Sequence, residues 1–249
     1  MPAASLRALA GAVSFLTLVP VGRIVALDGR DVARGALLFP LVGAGVGALT
    51  GAIALALHPW LPAFTAAGVA VAAAVLFTGA MHVDGLADTF DAAGGRSRDR
   101  ALEIMRDSRI GTFGASALAF DLLLRVGAVS ALLVRGGALP ALIAAGALSR
   151  AASPPLATLL PYPRAGAGPG SVLTGLSRPV AAGSLVVGLA IAFIAVNGDA
   201  VWLGAGTASV AIGLGLVYRR WLGGATGDCL GAASELCETG VLIVAVGLS

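Results

Sequence analysis

Acidic side chains and arginines concentrate in one short stretch of an otherwise apolar chain. Residues 84–109 hold six of the 13 acidic residues and five of the 16 arginines, although only 12% of the whole sequence is charged and 58% is hydrophobic. Asp84, Asp88 and Asp91 open the stretch, and arginines follow them. Carboxylates at spacings of four and three, with an arginine cluster behind them, suit chemistry in which a divalent cation holds a phosphate group.

The three aspartates are predicted to lie on one face of a helix. At 3.6 residues per turn, Asp84, Asp88 and Asp91 fall within about 60° of one another, with axial offsets of roughly 6 and 4.5 Å. The apolar segment 62–81 is expected to continue as one helix into this motif and to stop at Gly94-Gly95. Three like charges on one face repel each other unless a cation neutralises them. We therefore predict all three aspartates as metal ligands and as catalytic residues.

The donor set favours one class of metal. Carboxylate oxygens, with His82 as the one nearby histidine and no cysteine close in sequence, favour Mg²⁺, or Mn²⁺, over zinc. Such a cation uses one or two carboxylates and fills its remaining positions with water and substrate phosphate. A pair of ions about 4 Å apart would also fit, with Asp88 between them. The alternative is a solvated helix end whose aspartates pair with Arg96, Arg98 and Arg100.

The arginine-rich segment is predicted to form a second, interfacial helix. Ser97 can cap a short amphipathic helix over roughly residues 98–108, lying on the bilayer surface. Its Asp107 is a further catalytic candidate. A guanidinium can grip two phosphate oxygens, so the flanking arginines are predicted to bind substrate; they are Arg98, Arg106 and Arg109. Anchoring to anionic lipid headgroups is the alternative for each of them.

A second polar motif lies late in the chain. Asp228 and Glu235 are seven residues apart and share a helix face, and Thr226 stands where a helix N-terminus could meet an anion. Asp228 is a catalytic candidate, and Thr226 and Glu235 are predicted to bind substrate. An ordinary capped helix start would look the same when taken alone. Opposite the central acidic cluster, this motif is expected to complete one site.

Composition fixes the broad class of the protein. A mean hydropathy of +0.95 leaves too little polar surface to cover a soluble domain. We predict an all-α, polytopic membrane bundle of seven or eight helices plus the interfacial helix, forming a single domain over residues 1–249. The first segment lacks a small-x-small cleavage site, so we interpret it as a membrane helix and not as a signal peptide. The apolar stretches, each near the roughly 20 residues that a span needs, are 5–20, 35–57, 62–81, 113–134, 138–160, 180–196, 200–218 and 235–248.

Arginine alone sets the predicted orientation, since the chain has no lysine. With eight helices, twelve arginines lie in loops on one side, and the opposite loops hold only Arg135. The positive-inside rule makes the arginine-bearing side cytoplasmic, although Arg7 counts against it. The loops 82–112 and 219–234 would then carry the active site on the cytosolic face of the membrane. The four arginine-bearing loops are 21–34, 82–112, 161–179 and 219–234.

Ionisable residues inside the predicted spans are functional candidates. Asp121 and Arg125, four residues apart, are expected to neutralise each other. Arg150 has no local partner and is predicted to bind substrate, with a buried pairing to an acid as the alternative. Two cysteines, Cys229 and Cys237, lie about 12 Å apart along a helix, beyond disulfide reach, and are expected to be reduced.

These motifs resemble the cobalamin synthase family, and the resemblance runs nearly end to end. The block 82–114 is highly specific, with His-x-Asp-Gly-Leu-Ala-Asp-x-x-Asp followed by Arg98-Asp-Arg-x-Leu-Glu-Ile-Met-Arg-Asp-Ser-Arg-Ile-Gly-Thr-Phe-Gly114. The weaker motifs are Phe15-Leu-Thr17 with Pro20, Phe39-Pro-Leu-Val-Gly43, Ser149-Arg150 and Thr226-Gly-Asp228-x-x-Gly-Ala-x-x-Glu235. The chain departs from the family pattern at Gly22, where a proline is common, and at Asp121, where an apolar residue is expected.

The resemblance implies a reaction and its substrates. The 5′-hydroxyl of α-ribazole, or of its 5′-phosphate, would attack the phosphoanhydride of adenosylcobinamide-GDP and expel GMP, with Mg²⁺ as the cofactor. It also implies a multi-pass protein of the bacterial cytoplasmic membrane that contacts lipid and binds no nucleic acid. A homo-oligomer is compatible with this interpretation.

Two other interpretations compete. A CDP-alcohol phosphatidyltransferase also carries Asp-Gly-x-x-Ala with further aspartates on a membrane helix, but Asp88 stands where that family has arginine. An ion-coupled transporter could use Asp121 and Arg125, but it predicts internal repeats, and the sequence shows none. The Gly166–Gly170 stretch is interpreted as part of a flexible lid that uses Arg164 and Arg178.

Overall fold

The computed structural model describes residues 2–164, 172–173 and 175–249, and within them the chain is helical, without strands. This confirms the predicted all-α class. The helices are α1 (Pro2–Leu16), α2 (Gly29–Gly35), α3 (Phe39–Leu57), α4 (Ala63–Phe77), α5 (Met81–Ala92), α6 (Arg98–Ile104), α7 (Thr112–Arg135), α8 (Ala138–Leu159), α9 (Arg178–Val196), α10 (Ala200–Trp221) and α11 (Gly227–Leu248).

Fewer segments are suited to cross a membrane than the sequence suggested. Four stretches of the described residues are long and apolar enough, or five if the bent pair α4–α5 counts as one span. The predicted number of seven or eight is therefore too high. The helix α1 is short, and α8 carries Arg150 together with Pro154 and Pro155. The four stretches are Gly29–Leu57, Thr112–Arg135, Arg178–Trp221, which comprises α9 and α10, and Gly227–Leu248.

The acidic motif lies on its own helix and does not continue the preceding one. The axes of α4 and α5 differ by 89°, so the predicted continuous helix is wrong. Two successive left-handed residues make the corner, Gly79 at φ 65° and Ala80 at φ 58°. The side chain of Leu18 packs tightly on Gly79. A Cβ at Gly79 would lie 2.7 Å from the Cδ2 atom of Leu18. The end of α5 at Ala92, just before the glycine pair, is as predicted.

Glycines allow the central helices to approach closely. A Cβ at Gly43 on α3 or at Gly146 on α8 would overlap the carbonyl oxygen of the other residue. Small residues at such crossings let backbones pack at the distance that membrane helices favour. The helix α8 is buried along most of its length, between α3, α9 and α11. Arg150 is thereby held inside the bundle.

The two polar motifs meet because α5 and α11 cross. Gly85 lies against the backbone of Asp228, where a Cβ would be 2.8 Å from the carbonyl oxygen, and Gly231 lies against the backbone of His82. The helix α11 begins at Gly227, eight residues before the predicted apolar segment. Thr226 caps it by accepting a hydrogen bond from the Cys229 N–H at 3.2 Å. The crossing sets the first turn of α11 beside the acidic face of α5.

Candidate active site

A cavity of about 180 Å³ opens where α5 crosses α11. Asp84 from α5 and Asp228 from α11 both line it, so the fold brings the two polar motifs to one place. Helices α1, α3 and α8 and the segment 161–164 complete its wall. The lining residues are Phe15, Leu16, Phe39, Met81, His82, Asp84, Arg150, Ser153, Tyr162, Arg164, Leu173, Gly227, Asp228, Leu230, Gly231 and Ser234.

Like charges crowd at the mouth of this cavity. Asp84 is exposed, and Asp88 and Asp228 are half-buried beside it. Burial, and then the neighbouring carboxylates with Asp84 first, raise the pKa of Asp88 to about 7. The α5 carboxylates therefore repel one another, and a cation placed among them would relieve that repulsion.

Asp91 has a different environment from the other two aspartates. Its carboxylate accepts hydrogen bonds from the backbone N–H groups of Gly111 and Gly114, each at 2.7 Å. Gly111 is the N-cap of α7 and Gly114 lies in its first turn, so Asp91 satisfies donors at a helix N-terminus. A Cβ at either glycine would collide with the carboxylate. The predicted ligand thus ties α5 to α7.

The aspartates do not form a complete metal site by themselves. In the part of the chain that the structure describes, no three His, Cys, Asp or Glu side chains lie close enough to hold a metal ion. Asp84 and Asp228 nevertheless offer hard oxygen donors in the cavity wall, and Asp88 lies close enough to both to feel their charges. That donor set fits Mg²⁺, which takes few protein carboxylates and keeps water and phosphate oxygens as its other ligands.

An arginine that the sequence analysis assigned only to a lid lies at the mouth. The Arg164 Nη2 atom donates to Asp228 Oδ2 at 2.9 Å, and its side chain is only 13% exposed. Two contacts hold its segment in place: Arg98 donates to the carbonyl of Pro163 at 3.3 Å, and the Ala225 N–H donates to the carbonyl of Pro161 at 3.0 Å. The guanidinium of Arg164 therefore lies beside a carboxylate of the site.

The predicted phosphate-binding arginines lie farther out. Ser97 caps α6 as predicted, through the Arg100 N–H at 3.3 Å, but the helix ends at Ile104. Arg109 is 87% exposed and pairs with Asp107 at 2.5 Å. Hydrogen bonds from Arg109 hold the pKa of Asp107 at about 2. Arg106 is also exposed, so these residues surround the site without lining the cavity.

A buried ionic network lies deeper in the bundle. Arg125 on α7 contacts both Glu235 and Glu238 on α11, and Glu238 also contacts Arg150 on α8. Asp121 lies 3.7 Å from Arg125 and accepts a hydrogen bond from Thr239 at 2.6 Å. All these charged side chains are at most 8% exposed. The expected pair of Asp121 and Arg125 is one part of this larger network.

Two residues that were predicted to bind substrate, Glu235 and Arg150, belong to this ionic network. Glu235 faces Arg125 and does not line the cavity. Arg150 both lines the cavity and pairs with Glu238, so the predicted contact with substrate and the alternative of a buried pairing are compatible in one side chain. Thr226 is fully buried as the cap of α11.

Several cavity residues were not among the predicted site residues. Tyr162 and Arg164 carried no motif signal, and Ser153 and Ser234 look like ordinary small residues of apolar helices. Phe15 and Phe39 do belong to short motifs shared with the family, which was a usable signal. The Gly166–Gly170 part of the predicted lid lies outside the described residues.

Comparisons with known proteins agree with this arrangement of motifs. Residues 8–246 match the family described as cobalamin-5-phosphate synthase. A protein of Azorhizobium caulinodans named adenosylcobinamide-GDP ribazoletransferase is 43% identical, over 94% of both chains. Proteins of the same name from Klebsiella pneumoniae and Escherichia coli are 40% and 42% identical. The alignment with the Klebsiella pneumoniae protein covers 94% of this chain and 96% of the relative, and the alignment with the Escherichia coli protein covers 90% and 93%. No solved structure matches the chain. The chain belongs to the cobalamin-5-phosphate synthase family.

Proposed function

We propose that this chain is an adenosylcobinamide-GDP ribazoletransferase. A secondary ribose hydroxyl of α-ribazole, or of its 5′-phosphate, forms a new bond through its oxygen to the phosphorus that carries the cobinamide. The expected attack by a 5′-hydroxyl is not possible for both acceptors, because the 5′ oxygen of the 5′-phosphate is already esterified. The phosphoanhydride bond breaks, GMP leaves with the bonding electron pair, and the hydroxyl proton passes to a carboxylate. The family membership and the names of relatives at 40–43% identity support this activity.

One structural observation carries the mechanism. The crossing of α5 and α11 sets Asp84 and Asp228 beside Arg164 in the wall of a cavity, and Asp88 lies close enough to all three to feel their charges. A transferring phosphoryl group needs its charge neutralised and its oxygens held in position. Arg164 can hold a non-bridging oxygen, and a carboxylate beside it can accept the proton of the attacking hydroxyl. A carboxylate that can accept a proton and a guanidinium that can hold a phosphate oxygen are thus within one small region.

Mg²⁺ is the cofactor that we propose, with Mn²⁺ as a substitute. Asp84, Asp88 and Asp228 are the residues that would hold it, one or two at a time with water and phosphate oxygens as the other ligands, because they supply hard oxygens; burial and then the neighbouring carboxylates raise the pKa of Asp88. When bound, the cation would neutralise the diphosphate and the departing GMP. Asp91 is proposed to position α5 against α7, since its carboxylate is already bonded to two N–H groups.

The proposed location is the bacterial cytoplasmic membrane, with the site facing the cytosol. Arg7 had counted against that orientation, but its guanidinium donates to the Ala26 carbonyl at 2.8 Å and to Asp31 at 2.6 Å. Arg7 therefore lies with the loop 21–34, on the arginine-rich side. Arg135 contacts the carbonyl of Val246 at the other end of the bundle. This asymmetry supports the orientation through the positive-inside rule.

The activity can be tested with purified protein in lipid nanodiscs. Adenosylcobinamide-GDP, α-ribazole and Mg²⁺ should yield GMP and adenosylcobalamin in equal amounts, and EDTA should stop the reaction until Mg²⁺ is restored. Asp88→Asn should lose at least about 100-fold in rate, the range that one acid–base or electrostatic group contributes. Leu123→Ala is the matched control, because Leu123 is 59% exposed on the outer face of α7.

Two results would contradict the proposal. If the wild-type protein releases no GMP from adenosylcobinamide-GDP under any of these conditions, the assigned reaction is wrong. If Asp88→Asn keeps a rate within about threefold of wild type while the control behaves normally, the acidic cluster is not the reaction centre, because its removal should cost far more.

A further inference from the structure

The wall of the cavity is mostly apolar, and one side of it is aromatic. Phe15 and Phe39 stack with ring centroids 5.6 Å apart and planes 7° from parallel, and both line the cavity with Met81 and Leu230. Apolar walls with a few placed polar groups are typical of sites for small organic ligands, and sulfur and aromatic rings pack well on flat π systems.

The buried end of the cavity is polar but has no carboxylate among its described lining residues. His82, Arg150, Ser153 and Ser234 form this end, and each is at most 7% exposed. The Nδ1 atom of His82 has no hydrogen-bond partner among the described residues. Buried polar atoms without partners are uncommon and call for one. The end of the cavity therefore offers hydrogen bonds to a ligand: Arg150 donates, and the serine hydroxyls and the His82 imidazole can donate or accept.

The acidic lining residues are more exposed than those of the polar end. Asp84 is exposed and Asp228 is half-buried at the mouth. The volume of about 180 Å³ is below the roughly 300–1,000 Å³ of sites that enclose a drug-sized ligand. It accommodates one flat ring system and excludes a corrin macrocycle. A guanine ring carries N–H and C=O groups on more than one edge, and most of the described wall is apolar.

From these features we propose that the cavity is the binding subsite for the base of the nucleoside acceptor, an assignment that rests on the proposed function. The methylated benzimidazole of α-ribazole lies against Phe39, Met81 and Leu230. Its free ring nitrogen accepts a hydrogen bond from the polar end. The ribose then extends to the mouth, so that its attacking hydroxyl reaches Asp84 and Asp228, while the corrinoid and the guanosine stay outside the cavity.

A bulkier side chain in the wall tests this assignment. Leu230→Phe narrows the cavity, and Leu123→Phe makes the same change on an exposed face of α7. We expect Leu230→Phe to raise KM for α-ribazole at least about tenfold, the scale on which apolar pockets discriminate. The KM for adenosylcobinamide-GDP should stay within about twofold, and Leu123→Phe should change neither value.

A second variant covers the case in which Leu230→Phe does not fold. Met81→Ala removes a half-buried wall residue, and it should weaken α-ribazole binding by several fold while leaving adenosylcobinamide-GDP unaffected. Equilibrium dialysis with α-ribazole alone measures binding without turnover. A rise in KM for adenosylcobinamide-GDP and not for α-ribazole would assign the cavity to guanosine and overturn the proposal, as would no change in either value.

Different results would refute the proposed function and the proposed subsite. A wild-type protein that makes no GMP from adenosylcobinamide-GDP would refute the proposed function. A wild-type protein that is active, but whose Met81→Ala and folded Leu230→Phe variants bind α-ribazole normally, would refute only the subsite.

Discussion

Asp91 and Asp88, one turn apart on α5, should respond in opposite ways to the same substitution. Asp91→Asn keeps one carboxylate oxygen and replaces the other with an amide NH₂ group. That group faces a backbone N–H of α7, either that of Gly111 or that of Gly114, which then has no acceptor. Asp88→Asn instead removes one charge from a crowded acidic cluster. We expect the first change to lower stability and the second to lower activity.

The size of the first effect follows from the hydrogen bonds. A bond to a charged group contributes roughly 1.5–3 kcal/mol, and the favourable charge at a helix N-terminus adds about 0.3–1 kcal/mol. Asp91 is only partly buried, so solvent screening favours the lower end, about 2 kcal/mol in total. For a chain of this length each kcal/mol shifts the melting temperature by about 2–4 °C. Asp91→Asn should therefore melt on the order of 4–8 °C lower than wild type.

Thermal unfolding in lipid nanodiscs, with GMP release measured on the same samples, checks both expectations. Asp88→Asn should melt at or above the wild-type temperature and be nearly inactive. Gly114→Ala should reproduce the instability of Asp91→Asn, because its Cβ would lie 2.8 Å from the Ala87 carbonyl oxygen and overlap the Asp91 carboxylate. Gly127→Ala, on the same helix with open space around it, is the control. Equal melting temperatures for the Asp91 and Asp88 variants would refute the assigned anchoring role of Asp91.

Two further outcomes follow from the placement of the arginines. Arg164→Lys should lower kcat/KM for adenosylcobinamide-GDP by about tenfold, because an ammonium lacks the bidentate contact of a guanidinium. Arg220→Lys changes an exposed arginine on the same side and should keep a kcat/KM near that of wild type. Equal kcat/KM values for the two variants would assign phosphate binding elsewhere. Both native cysteines are buried, so membrane-impermeant thiol reagents should label Arg96→Cys from the cytosol and Trp60→Cys from outside. Labelling of both from one side would contradict the proposed orientation.

The sequence predicted well those features that depend on local residues. Ser97 and Thr226 cap helices as their types and positions indicated, and α5 ends before Gly94-Gly95. The meeting of the two polar motifs was also predicted, because both were expected on one side of the membrane. Local spacing carries this information, since capping and helix periodicity act over only a few residues.

The features that the sequence did not predict depend on distant contacts. The corner at Gly79-Ala80 interrupts an apolar run that has no proline after Pro62, and it is packed against Leu18, two residues after the end of α1. The partner of Asp91 could not be identified without knowing where α7 begins. Likewise, the pairing of Arg150 with Glu238 joins residues 88 positions apart, which no helical spacing reveals.

The buried ionic network has a consequence for the order in which the protein is assembled. Arg125 and Arg150 find their acidic partners Glu235 and Glu238 on α11, which is synthesised after α7 and α8. Until α11 arrives, α7 and α8 carry charges whose burial in a low-dielectric interior is costly. Those helices are therefore expected to remain loosely associated, near water or lipid headgroups, while the ribosome completes the chain. The 22 residues of α11 then lock the bundle, and without that helix Arg150 lacks its acidic partner Glu238 and Arg125 keeps only Asp121.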